Sequence, residues 1–440
     1  MPRQKFLGTL KWKGYIIKSM KNVIDALTER GFIEQISSEE LKKIVEKPIR
    51  FYIGFDPTAD SLHLGNLVGI IALTWFQKFG HHPYVLLGGA TGRIGDPSGK
   101  SQERAFLSDE TLLGNVKSIG AFFDHLFSHG GERPKIINND QWFSKFSLVD
   151  FLRDVGKHFR LGTMLGKESV RARLESEEGM SFTEFSYQIL QAYDFYYLSQ
   201  KEKVILQLGG SDQWGNITAG IELSRRLNGE ALYGLTFPLL TRSDGKKFGK
   251  SEEGAIWLSP EKLSPYQFYQ YLVRLPDADV IKLMKMLTFM SMEEIREYEE
   301  SMKAPGYIPN TAQKKLAEEV TRFVHKEEGL QLALRVTDVA KPGSSIELNA
   351  NTLSQIAEDM PSSILSLEEF IDQKYTDVAS KVGLVESKSE AGRLIKNGGA
   401  YLNNEKVEDP SFRLTREHLI DGKFAVFGAG KKKKILIKID

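Results

Sequence analysis

The sequence predicts an α/β chain: a doubly wound parallel sheet, then an α-helical domain, then a small α+β domain. Three observations carry that expectation. Between Ile49 and about Leu240, short apolar runs alternate with longer amphipathic stretches, the pattern of strands joined by crossover helices. From Pro265 to about Val336 helix formers dominate and no convincing strand is seen. Beyond about Leu365 a short basic helix, a glycine turn and brief apolar runs follow one another.

The expected strands are Phe51–Gly54, Tyr84–Gly88, Lys135–Asn138, Val204–Leu208 and Phe237–Thr241, with helices Leu64–Phe79, Thr111–Phe127, Phe182–Tyr197 and Gln213–Leu227 between them. In such sheets a ligand sits at the carboxyl ends of the strands, and the glycine-rich turns fall there. Within the helical region, Leu316, Val320, Phe323 and Val324 repeat at helical spacing across Lys315–His325. Pro342-Gly343-Ser344-Ser345 and Pro361-Ser362-Ser363 are linker signals. In the tail we expect a helix at Ser389–Lys396, a turn at Asn397-Gly398-Gly399, a strand near Tyr401 and a hairpin turn at Asn403-Asn404. The run Lys431–Lys434, which reads by itself as a solvated charge run, leads into Ile435-Leu436-Ile437.

A chain of 440 residues exceeds what one core usually organises. Its formal net charge of +1 supplies no whole-molecule field for nucleic acid, so RNA binding would need local patches. The absence of cysteine excludes disulfides and thiolate metal sites and suits a reducing compartment. The best apolar run, Leu67–Phe76, is half of the roughly 20 residues that span a bilayer, so no membrane partner is expected. Residues 1–19 carry Arg3, Lys5, Lys11, Lys13 and Lys18 and no acid. We read them as an extension ahead of Met20 rather than a transit peptide, which favours arginine and serine. A cytoplasmic location is the expectation.

Two separated segments carry phosphate chemistry. Phe51–Thr58 leads through Asp60-Ser61 into a helix opening at His63-Leu64-Gly65-Asn66. A helix amino terminus offers unpaired N–H groups and the positive end of a dipole, and His63 and Thr58 are placed to donate to phosphate oxygens. Alone, His63 reads as a cap or a core histidine; the order strand, Gly, Asp-Pro-Thr, Ser, His-x-Gly is what lifts it. The second segment is Lys247-Phe248-Gly249-Lys250-Ser251. Both Gly95–Ser101 and Gly245–Ser251 end in Gly-Lys-Ser, yet neither is a Walker loop: three residues, not four, separate their glycines. What remains is Lys247 and Lys250 on an Asp-Gly-anchored loop able to hold a polyphosphate.

The helix Phe182–Tyr197 carries a second group of candidate residues. Tyr187, Gln191 and Asp194 are spaced i, i+4 and i+7 and share one face. Such a stripe is usually core. Here Gln191 and Asp194 interrupt it, and a buried carboxylate is costly without a partner. A phenol hydroxyl would be such a partner.

The two phosphate segments resemble the HIGH and KMSKS signatures of class I aminoacyl-tRNA synthetases. More narrowly, Gly54–His63, Gly88–Lys100 and Gly209–Asn216 resemble the bacterial-type tyrosyl-tRNA synthetase family, and the likeness runs from about Met20 to the end. The resemblance implies a Rossmann-like sheet and a tyrosine–tRNA ligase. Tyrosine is activated with ATP to the adenylate, and tyrosyl then passes to the 3′-terminal adenosine of tRNA. It implies that Tyr52 and Asp194 bind the phenol hydroxyl and that Tyr187, Gln191 and Asp96 bind the ammonium, with Asn139 and Gln213 nearby. Thr58 and His63 would serve the γ-phosphate side, and Lys247 and Lys250 would close over the pyrophosphate, assisted by Lys100 and Arg104. Gly65 and Asn66 would lie against the nucleotide and Gly210 and Asp212 against the ribose, with Gly54, Asp56 and Ser251 completing the ATP side. Mg²⁺ would accompany ATP, with no dedicated protein metal site.

By the same resemblance, residues 1–250 form the catalytic domain, with a dimerisation insertion at about 111–166. Residues 251–345 form a helical anticodon-side domain, 346–364 a linker, and 365–440 an RNA-binding module like that of a ribosomal small-subunit protein. There Lys388, Arg393 and Lys396 would contact phosphates. The expected partners are tRNA for tyrosine, L-tyrosine, ATP and a second copy of the chain. Asn66 stands where the signature has its second histidine, Phe248 and Gly249 where it has methionine and serine. A tryptophan-specific relative is the nearest alternative, against which Tyr52 and Asp194 speak. A non-catalytic RNA-binding protein on the same fold is the other, against which the intact His63, Lys247 and Lys250 speak.

Overall fold

The computed structural model describes residues 22–98, 106–128, 132–175, 179–241, 243, 245, 248–251, 254–339, 353, 354, 357, 360–430 and 433–440. It divides into two compact units, Met1–Ser259 with Pro276–Ala312, and Pro260–Leu275 with Gln313–Asp440.

The first unit is built on a six-stranded sheet: β1 (Gln35–Ile36), β2 (Arg50–Phe55), β3 (His82–Leu87), β4 (Lys135–Asn138), β5 (Val204–Gly210) and β6 (Tyr233–Phe237), in the order β1-β6-β5-β2-β3-β4. Every neighbouring pair is parallel except β1–β6. Its helices are α1 (Val23–Glu29), α2 (Leu41–Ile44), α3 (Leu64–Lys78), α4 (Asp109–Leu126), α5 (Asp140–Phe143), α6 (Leu148–Asp154), α7 (Leu161–Leu165), α8 (Glu168–Leu174), α9 (Phe182–Glu202) and α10 (Trp214–Asn228). The predicted doubly wound α/β class is what the chain adopts. The strand order reverses between β2 and β5, and the crevice at such a switch point is where open α/β sheets bind ligands.

Two elements differ from expectation. β6 runs over Tyr233–Phe237 and shares only Phe237 with the expected Phe237–Thr241; Pro238, with no N–H to donate to the ladder, ends it where the expected strand was to begin. The antiparallel edge strand β1 was not anticipated, since two residues carry no periodicity. It is held instead by Ser37, whose hydroxyl accepts from Gly234 N–H at 2.9 Å.

The chain passes through α11 (Pro265–Val273), part of the second unit, and returns to the first as α12 (Asp277–Leu287) and α13 (Met292–Ser301). Arg30 fixes that return. Its buried guanidinium donates to the carbonyls of Lys285 (2.8 Å), Thr288 (2.7 Å) and Met290 (2.8 Å), and its Cζ lies 4.8 Å from the Trp75 ring of α3. Carbonyls at a helix end lack intrahelical partners, and a planar cation satisfies three together. Burial lowers its pKa to about 10, outweighing the opposing pull of the nearby Glu29 carboxylate.

In the second unit, α14 (Thr311–Val339) is interrupted at Lys326, whose φ of 62° is non-helical. A five-stranded sheet follows: β9 (Ser362–Leu365), β10 (Ala400–Leu402), β11 (Glu405–Lys406), β12 (Phe424–Ala429) and β13 (Lys433–Ile439), in the order β11-β10-β12-β13-β9. The labels β7 and β8 belong to a short hairpin of the first unit, Lys250–Ser251 and Gly254–Ala255. Helices α15 (Leu367–Phe370), α16 (Tyr375–Lys381) and α17 (Lys388–Lys396) accompany the sheet, over a core that includes Phe370, Tyr375, Leu384, Ile395, Leu414 and Phe427. Asn403 and Asn404 form the expected turn, both with positive φ (50° and 68°), as a tight two-residue hairpin requires.

The Pro361-Ser362-Ser363 signal, read as linker, instead opens β9. That strand lies parallel to β13, and Pro361 O accepts from Leu436 N–H at 2.8 Å. An edge position tolerates a proline that a central strand would not. The lysine run is not uniformly solvated either: Lys431 and Lys432 lie outside the described residues, and Lys434 is only 5% exposed, with its Nζ near the Tyr401 ring.

Candidate active site

The floor of the crevice is a buried carboxylate. Asp194 projects from α9 with 2% exposure; its Oδ1 accepts from the indole N–H of Trp142 at 2.9 Å and its Oδ2 from Nδ2 of Asn139 at 3.1 Å. Asn139 is itself oriented, its Oδ1 accepting from Ala90 N–H at 2.7 Å and its Nδ2 donating also to Thr91 Oγ1 at 3.0 Å. Burial pushes the Asp194 carboxyl well above its ordinary range, against the two donors that favour the charged form. Tyr52 of β2 is fully buried, and its hydroxyl has no hydrogen-bond partner among the described residues. Burial and the neighbouring Asp194 charge hold that phenol well above its usual pKa. Buried polar groups are usually hydrogen-bonded, so this hydroxyl beside the Asp194 carboxyl is a candidate contact for a polar group of a substrate.

Above this floor, Tyr187 donates its hydroxyl to Asp56 Oδ2 at 2.7 Å, and Thr91 donates to Asp56 Oδ1 at 2.7 Å. Asp96 anchors a polar cluster: Gln213 Nε2 donates to its Oδ2 at 2.6 Å and Ser98 N–H to its Oδ1 at 3.0 Å. Gln191 Nε2 donates to Gln213 Oε1 at 3.2 Å, and Asn216 Nδ2 reaches Gln191 Oε1 at 3.0 Å. Two carboxylates, Asp56 and Asp96, and the side-chain oxygens of Gln191 and Gln213 thus gather around one end of the crevice. Oxygen acceptors in that density suit an ammonium group.

The two phosphate segments meet. His63 caps α3: its Nδ1 accepts from Gly65 N–H at 3.1 Å, while its own N–H donates to Asn66 Oδ1 at 3.0 Å. With Nδ1 accepting, the neutral ring carries its proton on Nε2, the nitrogen able to donate to an anion. A Cβ on Gly65 would stand 2.9 Å from the His63 ring, so any larger residue would displace the imidazole that folds over it. Gly249 abuts the same turn at a φ of +85°, and a Cβ there would lie 2.8 Å from Gly65 N. The contact is continued by Leu64 N–H donating to Ile256 O at 2.7 Å, Ile256 N–H to Gly249 O at 2.9 Å, and a bridge between His63 and Trp257.

Thr58 and Gly54 are exposed at the end of β2, with Thr58 N–H donating to Asp56 O at 2.9 Å. Asp212 stands beside Gly210, where a Cβ would meet its Oδ1 at 2.6 Å. Lys100, Arg104 and Lys247 lie outside the described residues, and Lys250 and Ser251 are described by their β7 backbone alone. Asn139, expected near the ammonium, is committed to Asp194 and Thr91, and Asp56, grouped with ATP, is committed to Tyr187 and Thr91. The sequence reading assigned no role to Trp142, Thr91 or Asn216. Asn216 closes the quoted Gly209–Asn216 segment and Trp142 follows Asn139 by three residues, one helical turn, which is the signal that was available. Among the described residues, no group of three or more acidic or histidine side chains is placed to hold a metal.

A switch-point crevice in a parallel sheet, lined by a capped helix start, an adjoining glycine turn and a cluster of polar side chains, is the arrangement of a class I tRNA synthetase. The family described as "tRNA synthetases class I (W and Y)" matches residues 43–339. The "Tyrosine--tRNA ligase SYY-like C-terminal domain" matches residues 352–437, and the chain belongs to the tyrosine–tRNA ligase family. It is 55% identical to a Tyrosine--tRNA ligase of Protochlamydia amoebophila over 96% of this chain and 99% of that protein. It is 53% identical to an Arabidopsis thaliana protein named "Tyrosine--tRNA ligase, chloroplastic/mitochondrial" over 95% of this chain and 84% of that one. Its structure is similar to that of a C-terminally truncated mitochondrial tyrosyl-tRNA synthetase of Aspergillus nidulans. That match has a TM-score of 0.64 and 33% identity, and covers 72% of this chain and 93% of the other.

Proposed function

We propose that this enzyme activates L-tyrosine with ATP and transfers it to the 3′-terminal adenosine of tRNA for tyrosine, with the residues above in defined roles. The observation that carries the substrate assignment is Asp194, held by Trp142 and Asn139 beside the partnerless hydroxyl of Tyr52. A tyrosine side chain presents one O–H, which donates to Asp194 and accepts from Tyr52. Phenylalanine would leave the Tyr52 hydroxyl without an acceptor and offer Asp194 no donor beyond Trp142 and Asn139, the discrimination rule for which the handling of tyrosine by this enzyme family is a standard illustration. Tyr187, Gln191 and Asp96, with Gln213, hold the ammonium end.

The substrate carboxylate then attacks the α-phosphate of ATP and pyrophosphate leaves. Such chemistry depends on positioning and on stabilising charge where it develops. His63 and Thr58 serve the γ-phosphate side, Lys247 and Lys250 the pyrophosphate, and Gly54, Gly65, Asn66, Gly210, Asp212 and Ser251 the remaining ATP side, while Asp56, which accepts from Tyr187 and Thr91, stands with the ammonium end. Mg²⁺ arrives with ATP as part of the substrate. Tyrosine-dependent ATP–pyrophosphate exchange tests the assignment: exchange with tyrosine supports it, and exchange with tryptophan or none at all overturns it.

We further propose a homodimer. Leu148, Val149, Leu152, Leu161, Leu165, Leu174 and Phe182 are exposed, Phe182 by 77%, and a single stretch carrying that many bare apolar side chains marks an interaction surface. The module at 365–440 would grip tRNA through Arg393 and Lys396 in the last turn of α17 and through Lys388, which is also paired with Asp377 at 3.1 Å. The helical region 251–345 would lie on the anticodon side. Among the described residues no helix is long and apolar enough to cross a membrane, and we place the enzyme in the cytoplasm.

A further inference from the structure

Thr91 has no part in the chemistry above, yet it stands between the two ends of the amino-acid pocket. It is 2% exposed and opens a 3₁₀ turn, Thr91–Arg93, just beyond β3. Its oxygen accepts from Asn139 Nδ2 at 3.0 Å, and its hydroxyl donates to Asp56 Oδ1 at 2.7 Å. The other contacts of these two partners lead in opposite directions. Asn139 Nδ2 also donates to Asp194 Oδ2 at 3.1 Å, and Asp56 Oδ2 accepts from the Tyr187 hydroxyl at 2.7 Å. An unbroken chain of side chains therefore runs from Asp194 through Asn139, Thr91 and Asp56 to Tyr187.

The direction of the central links is fixed. Ala90 N–H donates to Asn139 Oδ1 at 2.7 Å, so the amide turns its nitrogen, a donor only, toward Thr91. A hydroxyl carries one proton, and with its oxygen accepting from Asn139 that proton is left for Asp56. Room for the Thr91–Asp56 bond comes from Gly88, where a Cβ would overlap both the Asp56 carboxylate and the Thr91 hydroxyl.

We infer that Thr91 is a positioning residue that serves both ends of the amino-acid pocket at once: through Asn139 it holds the carboxyl of Asp194 that reads the substrate hydroxyl, and through Asp56 it holds Tyr187 at the ammonium end. The inference rests on tyrosine being the substrate. Buried polar networks are rigid only when every member is satisfied. Without the Thr91 hydroxyl, one N–H of Asn139 loses its acceptor and Asp56 loses a donor, so both neighbours are free to turn. Hydrogen bonds to a carboxylate are short and directional, and a turn of either partner is passed on to the group that touches the substrate.

The test measures tyrosine binding to the full-length protein by equilibrium dialysis, and binding of phenylalanine and para-hydroxyphenylpropionate by displacement of tyrosine. The first analogue lacks the hydroxyl and the second lacks the ammonium. Thr91→Val keeps the shape of threonine without its hydroxyl. Tyrosine should then bind roughly ten- to a hundredfold more weakly, the range for losing a hydrogen bond to a charged group. The loss for each analogue should be smaller by about threefold or more, since each engages one end only. Thr91→Ser restores the hydroxyl and should bind all three ligands within about threefold of the parent. The KM for ATP in pyrophosphate exchange should stay within about twofold throughout. Thr91→Ala, for which the same pattern is expected, replaces the valine variant if that one folds poorly. Losses equal for all three ligands, or as large for either analogue as for tyrosine, would overturn the inference. Intact tyrosine binding in the variants lacking the hydroxyl, or no recovery with serine, would overturn it as well. If the parent itself shows no tyrosine-dependent exchange, the substrate reading fails; if the parent exchanges and the variants lose binding equally for all ligands, only the role of Thr91 fails.

Discussion

Trp142 donates its indole N–H to Oδ1 of Asp194 at 2.9 Å, and this bond orients the buried carboxyl that we propose reads the substrate hydroxyl. The indole is fixed in turn by stacking on Tyr197, with ring centroids 4.2 Å apart. Trp142→Phe keeps a ring for that stack and removes the donor. A hydrogen bond to a buried charged group contributes roughly 1.5–3 kcal/mol, so the KM for tyrosine should rise roughly ten- to a hundredfold, with the KM for ATP little changed. Steady-state exchange with each substrate varied separately checks the split. Parallel increases in both would show that Trp142 serves the fold and not the pocket.

Tyr52 should show opposite signs in stability and in binding. Its hydroxyl is buried without a partner among the described residues. Removing an unsatisfied buried polar group is worth about 1 kcal/mol or more. Tyr52→Phe should therefore melt at a higher temperature than the parent without tyrosine, and bind tyrosine more weakly. Calorimetric melting with and without tyrosine reads both, and a lower melting temperature of the unliganded variant would contradict the burial argument.

Arg30 predicts a large effect far from the reacting groups. Truncation to Ala removes three hydrogen bonds to carbonyls and the cation over Trp75 at once. Leaving buried carbonyls unpaired costs about 1–3 kcal/mol each at most, so a loss of roughly 3 kcal/mol or more is expected in urea unfolding. Lys offers one cation in place of a planar fork and should restore only part. A loss below about 1 kcal/mol would mean that water satisfies the α12 terminus instead.

His81 gives the first unit an acid limit. Its Nδ1 accepts from Ile49 N–H at 3.2 Å and the residue is buried, so the folded state favours the neutral ring and the pKa falls from 6.5 to about 4. The folded value lies below the unfolded one. The stabilisation is thus complete above about pH 6.5 and is lost as pH falls toward 4. It is worth at most roughly 3 kcal/mol. Urea titrations at pH 7 and 4.5 should show a smaller loss for His81→Gln, which accepts a hydrogen bond without titrating in this range. Equal losses in the two proteins would remove His81 from the acid response.

Much of this site was legible in the sequence because its chemistry is local. Tyr187, Gln191 and Asp194 lie on one helix, so their spacing alone put them on one face, and His63–Asn66 carried its own capping pattern. What was not legible depends on contacts between distant segments. Trp142 and Asp194 are 52 residues apart, and no periodicity relates α5 to α9. Asn139 reads as one more polar residue until the fold commits its amide to Asp194 and Thr91. Thr91 lies 35 residues from Asp56 and 48 from Asn139, and no pattern along the chain relates the three. Among fold elements, the doubly wound core followed from alternation over many residues. β1 and β9 did not, because short edge strands take their stability from neighbours that composition does not name.

The raised carboxyl at the floor of the pocket has a thermodynamic counterpart outside the protein. Asp194 holds its proton to higher pH while the site is unliganded than it would with a phenol hydroxyl donating to it, since such a donor favours the charged form. Between those two values, tyrosine entry expels a proton into the medium. The measured heat of binding should then vary with the ionisation enthalpy of the buffer, and the apparent affinity should strengthen as pH rises through that window. Two calorimetric titrations, in phosphate and in Tris at the same pH, would count that proton directly.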